Sequence, residues 1–446
     1  MFRFSFGRQH RNCSGISRRH ALRLGTCGLI GGLTLPRLLE LQAKATGTRS
    51  AKARSCIFLF LEGGPPHQDM WDPKPKAPPE IRGPFEAIST NVTDVFVTDQ
   101  LPLCAQMADK YTILRNHSHR DNGHTTGYHY VMTGRRANFA DGDNPIPNND
   151  FYPSIGSAVS RTLGQRGDLP PYINLPHPMA GGGPGFHGPE HAPFVIEADP
   201  TQPDFEVKDL QSSRQLSQNR LELRKRLLSG IDELERSRNQ GRAQVMSTYY
   251  EKAYSLITSE AAKRAFNIHA EPDSVRDAYG RTQIGQCALL GRRLIEADCR
   301  FVGIDAPGWD VHFNCFPSLK SDLIPYADRA FSTLVTDLEE RGLLEETLVV
   351  MMGEMGRTPR INAQAGRDHW SMAQTIIFAG GGITPGQVIG ATDKQAAAPV
   401  GSPVGVNDLL RTICVLMGID PDRQFHGPLG RPVPIVDGGE VIRDLI

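Results

Sequence analysis

The sequence has little of several features that would assign a function directly. Outside its first 45 residues, no apolar run is long enough to span a membrane. Lys and Arg total 49, as do Asp and Glu, and basic residues outnumber acidic ones in the first 45 residues. The rest of the chain is therefore mildly acidic and lacks the basic surface that binds nucleic acid. The eight cysteines form no Cys-x-x-Cys pair, which excludes a structural zinc ribbon.

Three common functional motifs are also missing. No Gly-x-x-x-x-Gly-Lys-Ser/Thr occurs, so a P-loop is excluded, and no Gly-x-Gly-x-x-Gly follows a predicted strand, so no nucleotide cofactor is implied. The Gly-x-Ser-x-Gly elbow of α/β-hydrolases is absent as well. Hydrophobic residues at 39% and charged residues at 22% are ordinary globular values, which excludes disorder, collagen and coiled coil as the main architecture.

The N-terminal segment has the order of parts found in an export signal. Ser17–Leu22 reads Ser-Arg-Arg-His-Ala-Leu, the twin-arginine pattern, and a modestly apolar stretch runs from Leu22 to Leu35. Ala43-Lys44-Ala45 then matches a cleavage site. The alternative is a basic surface helix. We predict a signal peptide over residues 1–45, export to the periplasm or the exterior, and a single domain over 46–446.

The rest of the chain alternates strand-length apolar runs with helical patterns. The run Cys56–Leu61 ends at two glycines and is typical of a strand buried on both faces. Repeated strand–helix pairing predicts an α/β protein with a mostly parallel central sheet and helices on both faces, plus a charged helical insertion around 205–270. The further predicted strands are Tyr111–Leu114, Tyr172–Leu175, Arg300–Ile304, Thr347–Met352 and Thr375–Ala379. The predicted helices are Leu101–Lys110, Thr125–Met132, Ile155–Leu163, Gln283–Ala297, Ile324–Glu340 and Asn407–Met417.

Carboxylates and imidazoles gather after the predicted strands. In open α/β sheets the functional site lies beyond the carboxyl ends of the strands, so these side chains are expected to converge. Together they are the usual ligands of zinc or manganese, whereas calcium takes more oxygen ligands. For each residue alone, the alternative is an ordinary hydrogen-bonded or exposed side chain. The candidates are Glu62, His67, Asp69, Asp72, His117, His119, Asp121, His124, Asp305, Asp310, His312, Glu354, Asp368 and His369.

Five of these residues are the strongest candidates for holding a divalent metal, whether zinc, manganese or calcium. Asp310 and His312 are two positions apart in a loop with Gly and Trp, and Asp368-His369 is followed by Trp. Both loops flank strands that are expected to be neighbours. Glu354 follows the strand at Thr347–Met352. We predict that most or all of the five are metal ligands.

Several longer motifs occur together between residue 56 and about residue 430. They are Glu62-Gly63-Gly64-Pro65-Pro66-His67-Gln68-Asp69, Trp71-Asp72-Pro73-Lys74-Pro75, Gly308-Trp309-Asp310-Val311-His312, Gly353-Glu354-Met355-Gly356-Arg357-Thr358-Pro359 and Gly366-Arg367-Asp368-His369-Trp370. This set resembles the domain of unknown function 1501 family of exported bacterial proteins. The family belongs to the alkaline phosphatase and sulfatase superfamily.

The resemblance implies a three-layer α/β/α sandwich with one or two divalent metals. It also implies a Ser, Thr or Cys nucleophile at the N-terminus of a helix. Glu62 stands where the superfamily places a metal-binding Asp at the end of the first strand. Glu354 resembles the Asp of a sulfatase Asp-His ligand pair, although Met355 cannot replace the His, and Asp368-His369 resembles a further ligand.

The nucleophile is the largest departure from the superfamily pattern. In sulfatases it lies nine residues before a Thr-Gly pair, and counting back from Thr133-Gly134 leads to His124. No Cys-x-Pro-Ser-Arg occurs, which argues against formylglycine sulfatase chemistry. Thr125 and Thr126 are the nearest hydroxyls, at the start of a predicted helix whose N-terminus would stabilise an oxyanion. Alternatively, His124 is a metal ligand and a metal-activated water attacks.

Substrate contacts are predicted from two loops that carry candidate site residues. Arg120 and Arg357 would hold an anionic group, since a guanidinium binds phosphate or sulfate through paired N–H donors. Gly63 and Gly64 would let the backbone approach the ligand at the mouth of the site.

Two functions of different classes follow. The first is a metal-dependent hydrolase of phosphate or sulfate esters, including sulfated or phosphorylated polysaccharide. The second is a secreted binding protein that keeps the fold but has lost the nucleophile. The dense Asp and His loops favour the first, and the missing nucleophile favours the second, because fold alone does not decide function.

Overall fold

Strands and helices alternate along the chain in the order that the apolar pattern predicts. The computed structural model describes residues 51–137, 151–207, 256 and 259–446. The predicted signal peptide and most of the predicted helical insertion lie outside these ranges. No helix within them combines the length and the apolar composition needed to cross a lipid bilayer.

The regular elements are numbered in chain order. The strands are β1 (Ser55–Leu61), β2 (Ala87–Ser89), β3 (Phe96–Thr98), β4 (Tyr111–His117), β5 (Tyr172–Leu175), β6 (Phe194–Val195), β7 (Phe301–Ala306), β8 (Thr347–Met352), β9 (Gly356–Arg357), β10 (His369–Trp370), β11 (Gln374–Ala379), β12 (Gln387–Ile389), β13 (Gln424–His426) and β14 (Pro432–Pro434). The α-helices are α1 (Pro79–Arg82), α2 (Pro102–Ala105), α3 (His124–Thr133), α4 (Ile155–Leu163), α5 (Glu260–Phe266), α6 (Asp273–Tyr279), α7 (Gln283–Glu296), α8 (Cys315–Ser318), α9 (Ile324–Glu340) and α10 (Val406–Leu416).

The largest sheet in the described residues has eight strands in the order β12-β4-β11-β8-β1-β7-β5-β6. β1 pairs in parallel with β7 and β8. β5 continues the parallel arrangement with β7 and β6. Only β11 runs against its neighbours in this sheet, pairing antiparallel with both β4 and β8. The sheet is therefore mostly parallel, as predicted.

The antiparallel direction of β11 decides where the functional residues meet. Its first residue, Gln374, pairs with His117, the last residue of β4. The start of β11 thus lies at the same edge of the sheet as the carboxyl ends of β1, β4, β7 and β8. Residues just before β11 are therefore brought beside residues that follow the parallel strands.

The sheet separates two hydrophobic cores. Along β1, Ile57 and Leu59 pack into one core, and Phe58 and Phe60 pack into the other. Helices α7 and α9 line the first core, while α3, α4 and α10 line the second. Both faces of β1 are covered, which explains its continuous apolar run. The arrangement confirms the predicted α/β class, with helices on both faces of the sheet.

Most predicted boundaries lie within two residues of the observed ones, and two segments differ by more. The segment Leu101–Lys110 contains the short helix α2 and a separate 3₁₀ helix at Ala108–Lys110, because the N–H of Gln106 bonds the carbonyl three residues back, a tighter turn that ends α2. β4 continues to His117 rather than ending at Leu114, because β11 pairs with that end of the strand.

Candidate metal centre

Three segments bring ligand-type side chains together at the edge of the sheet where β11 begins. His124 is the first residue of α3, Asp310 and His312 follow β7, and His369 is the first residue of β10. One ligand atom from each of His124, Asp310 and His369 lies within 4.8 Å of the other two. Asp310 is exposed and the two imidazoles are partly buried, so solvent reaches the group.

Three imidazole rings direct the same nitrogen toward one carboxylate oxygen. The Nε2 atoms of His124, His312 and His369 lie 3.2, 3.0 and 3.2 Å from Asp310 Oδ1. The Nε2 atoms of His312 and His369 are 3.0 Å apart. His312 is outside the group of three, but its Nε2 contacts atoms of two of its members, so we call these four residues the metal centre.

The other nitrogen of each ring is held by an oxygen acceptor. His124 Nδ1 lies 2.6 Å from Glu354 Oε1, and His312 Nδ1 lies 2.8 Å from Asp368 Oδ1. His369 Nδ1 lies 2.7 Å from the backbone carbonyl oxygen of Asn122. Metal-binding histidines in proteins nearly always have this second contact, which fixes the ring orientation and the tautomer.

These contacts determine which ring atoms carry lone pairs. A carbonyl only accepts, so His369 Nδ1 carries the proton, and burial lowers the pKa of His369, which keeps the ring neutral. Its Nε2 therefore presents a lone pair toward Asp310 Oδ1. His124 Nε2 is buried and makes no hydrogen bond. Three imidazole nitrogens and a carboxylate oxygen that face one another are a donor set that fits a divalent metal.

The charges around Asp310 keep it ionised. Burial raises the pKa of this carboxyl, but the Arg357 guanidinium and the neighbouring histidines outweigh burial and lower the pKa to about 2. For His124, burial lowers the pKa, while the Glu354 and Asp310 carboxylates outweigh it and raise the pKa. The centre thus presents a carboxylate at neutral pH, the form that binds metal.

Of the five residues predicted as metal ligands, the structure brings three to the centre. Asp310, His312 and His369 contribute converging atoms, whereas Glu354 and Asp368 lie behind His124 and His312. Glu354 is wholly buried and accepts hydrogen bonds from the Gly63 N–H at 3.1 Å. Its other side-chain partner is the His124 ring, and Asp368 contacts the His312 ring, so the ligand role of these two carboxylates stays a prediction.

Arg357, predicted to bind substrate, is wholly buried. It donates to Asp310 Oδ1 at 2.6 Å, to the carbonyl of Gly64 at 3.0 Å and to that of Arg367 at 3.0 Å, and it also contacts the carbonyl of Gly63. Its observed partners are Asp310 and three backbone carbonyls, and its contact with substrate stays a prediction.

Gly63 and Gly64 allow close packing of the loops beneath the centre. Both have positive φ angles, 113° and 88°, and both are buried. A Cβ at Gly63 would lie 2.3 Å from the backbone nitrogen of Asp310, and one at Gly64 would lie 2.9 Å from the carbonyl oxygen of Met355. Both glycines therefore pack against loops that carry candidate site residues, and their contact with substrate stays a prediction.

Glu62, the remaining predicted ligand, belongs to a second group of acidic residues. Burial raises the pKa of Asp305 to about 8, and the neighbouring Glu62 carboxylate adds to this effect. Burial also raises the pKa of the Tyr128 phenol, with further contributions from Glu354 and Glu62. Glu62 is not among the residues whose ligand atoms cluster within 4.8 Å.

The predicted catalytic and anion-binding residues before and within α3 have different surroundings. The Thr126 hydroxyl donates to the Asp121 carboxylate and is partly buried. Thr125 is partly buried beside His124 in the first turn of α3, and Arg120 is exposed. Thr125 and Arg120 therefore stay predictions for the nucleophile and the anion contact.

Sequence reasoning missed two parts of the centre. The Asn122 carbonyl that holds His369 is a backbone atom, which no residue pattern reveals. The contact of Glu354 with His124 was missed because a carboxylate after a strand gives no sign of its partner. The structure places the His124 ring between Glu354 and Asp310.

Comparison with known proteins gives a family and distant structural likenesses. Ps i-CgsB in complex with k-i-k-neocarrahexaose is 14% identical, with a TM-score of 0.37, over 82% of this chain and 72% of that chain. The phosphonate monoester hydrolase SpPMH from Silicibacter pomeroyi is 14% identical, with a TM-score of 0.35, over 77% and 71%. Alkaline phosphatase from the Antarctic bacterium TAB5 is 10% identical, with a TM-score of 0.36, over 83% and 100%.

Likenesses at this level assign no activity, and no curated protein matches the chain. The family comparison is more informative. The family described as "Protein of unknown function (DUF1501)" matches residues 53–446, as the motifs predict, and this chain belongs to that family.

Proposed function

We propose that this protein is a metal-dependent hydrolase of phosphate or sulfate esters. The proposal is supported by one observation above all. Three Nε2 atoms converge on Asp310 Oδ1 while each Nδ1 is held by an oxygen acceptor. Three imidazoles and a carboxylate suit zinc or manganese better than calcium, which prefers more oxygen ligands. His124, Asp310, His312 and His369 would hold the ion.

The residues of the chain prepare this site for an anionic ester. When bound, a divalent metal supplies Lewis acidity and positive charge that stabilise the charge developing on a phosphate or sulfate group. The ten-residue helix α3 begins at His124, so its N-terminal partial positive charge lies beside the centre. Exposed Arg120 in the preceding loop can approach the anionic group. Thr125 offers a hydroxyl at the same helix end.

The proposal is tested on the purified protein loaded separately with Zn²⁺, Mn²⁺ and Ca²⁺. Metal content and turnover of an aryl phosphate, an aryl sulfate and a sulfated oligosaccharide are measured for the wild type, His369→Ala, Thr125→Ala and Thr126→Ala. We expect turnover with zinc or manganese and its loss in His369→Ala. A loss of about a thousandfold in a threonine variant would identify a covalent nucleophile.

The alternative function gives a different result. A wild type that binds metal and a sulfated or phosphorylated ligand but turns over no ester would favour the non-catalytic binding protein. A wild type that binds no metal would contradict the hydrolase proposal.

We also infer export through the twin-arginine route, because the motif, the apolar stretch and the cleavage pattern occur in order. The test is the location of the expressed chain. Replacing Arg18 and Arg19 by Lys should retain it in the cytoplasm, whereas unchanged location would contradict the inference.

A further inference from the structure

Arg357 joins the loops that build the metal centre. Its Nη2 donates to Asp310 Oδ1 in the loop after β7, and the same atom contacts the Gly63 carbonyl after β1. Nε donates to the carbonyl of Gly64, and Nη1 donates to the carbonyl of Arg367, two residues before His369. One buried side chain therefore links three separate segments, two of which carry metal-centre residues.

The sheet pairing strengthens this link. Arg357 lies directly opposite His369 in the two-stranded antiparallel sheet formed by β9 and β10. Arg357 thus holds the backbone that presents His369 and, through its guanidinium, the carboxylate of Asp310. Lysine could not make the same set of contacts, because its ammonium lacks the planar fork of N–H donors directed at several acceptors.

We infer that Arg357 is a positioning residue that sets the affinity and coordination geometry of the metal centre by fixing Asp310 against the three imidazoles. The inference rests on the metal-binding part of the proposed function, but not on ester hydrolysis. Residues that orient metal ligands typically change metal affinity by about 10- to 100-fold when replaced. Arg357 acts through Asp310, so its effect should depend on that carboxylate.

The chain offers a matched control ten residues away. Arg367 is also wholly buried and forms a two-point pair with Asp69, with N–O distances of 2.7 and 2.9 Å. Its guanidinium bonds no residue of the metal centre among its described contacts, which are Asp69 and the carbonyls of Ile81, Thr358 and Pro359. Arg357→Lys and Arg367→Lys each remove the planar set of N–H donors of a buried guanidinium, but only the first substitution removes donors that contact Asp310.

The experiment uses the full chain loaded with Co²⁺, whose visible absorption reports coordination number and geometry. Chelator competition gives the Co²⁺ and Zn²⁺ affinities, and circular dichroism confirms the fold of each variant. We expect Arg357→Lys to weaken metal binding by about 10- to 100-fold and to change the Co²⁺ bands. Arg367→Lys should lower thermal stability while leaving the bands and the affinity near those of the wild type.

A double-mutant cycle tests whether the effect passes through Asp310. In an Asp310→Asn background, Arg357→Lys should change the metal affinity by less than about threefold, because the carboxylate it positions is gone. Undiminished weakening in that background would overturn the inference. Equal Co²⁺ spectra and affinities for Arg357→Lys and the wild type would overturn it too, while leaving ester hydrolysis open.

Two further outcomes are decisive. A wild type that binds neither Co²⁺ nor Zn²⁺ overturns the inference. If Arg357→Lys does not fold, ¹⁵N NMR of arginine side chains is recorded for the wild type and for Arg367→Lys instead. A guanidinium signal that shifts on Zn²⁺ addition in both proteins cannot come from Arg367 and supports the inference, and no shifted guanidinium signal in either protein overturns it.

Discussion

Two sets of histidines lie near the ends of strands of the same sheet, yet they have opposite surroundings. His124, His312 and His369 are partly exposed and turn their Nε2 atoms toward one carboxylate. His67 and His117 are buried among the strands and loops, where burial lowers their pKa to about 4 and about 3.

The difference shows that an imidazole near a strand end is only a candidate for metal binding. A buried neutral ring contributes packing and is costly to protonate, whereas a partly exposed ring beside an ionised carboxylate can bind a cation. The two sets should therefore respond differently to mutation, to metal removal and to pH.

The largest expected effect is on metal affinity in His369→Ala. The variant loses a converging Nε2, and its affinity for Zn²⁺ should fall more than about 100-fold, beyond the range for residues that only orient ligands. Its free energy of unfolding without metal should change by less than about 1 kcal/mol, because the side chain is partly exposed. Chelator competition and urea denaturation check the two values, and unchanged affinity would remove His369 from the centre.

The buried set should show the reverse pattern. His117→Ala removes a wholly buried ring and should lower the free energy of unfolding by about 2–4 kcal/mol. Zinc affinity, measured on folded protein, should stay within about threefold of the wild type, since His117 is outside the clustered ligands. A large loss of affinity with intact stability would break the comparison.

The pH dependence of stability should also separate the sets. His117 has a folded-state pKa of about 3, below the ordinary value of about 6.5, so the unfolded chain binds a proton that the folded chain does not. Its contribution to stability is therefore lost as pH falls from about 6.5 toward 3, by about 2 kcal/mol between pH 7 and 5. With a chelator present, the free energy of unfolding of His117→Leu should decrease by about 2 kcal/mol less than that of the wild type between pH 7 and pH 5. Equal decreases in the two proteins would contradict the assignment of this pH dependence to His117.

The smallest expected effect is that of Asp368→Asn. The Asp368 carboxylate holds His312 Nδ1 at 2.8 Å, but it is about half exposed and asparagine keeps an acceptor oxygen. Zinc affinity should fall by about tenfold or less. Chelator competition measures the zinc affinities of Asp368→Asn and Arg357→Lys in parallel. A larger loss of affinity in Asp368→Asn than in Arg357→Lys would place the main positioning contact at Asp368.

Many of the strands and helices, and several residues of the candidate site, could be predicted from the sequence because they depend on local residue patterns. A strand buried on both faces favours a continuous apolar run, so Leu348–Met352 predicts the strand that the structure has at Thr347–Met352. Amphipathic spacing likewise defines Ile324–Glu340 as a helix. Ligand-type residues in the loops identified Asp310, His312 and His369, because their side-chain chemistry is visible without a structure.

The tertiary structure alone decided the features that depend on the direction of the strands and on the distance between segments far apart in the chain. The antiparallel course of β11 brings His369 to the ends of the parallel strands, and residue spacing does not encode that direction. His117 ends β4 and His124 begins the helix that follows it, but packing buries His117 and leaves His124 beside Asp310. Arg357 has the side chain of an anion-binding residue, but the carbonyls and the carboxylate around it accept hydrogen bonds from its guanidinium.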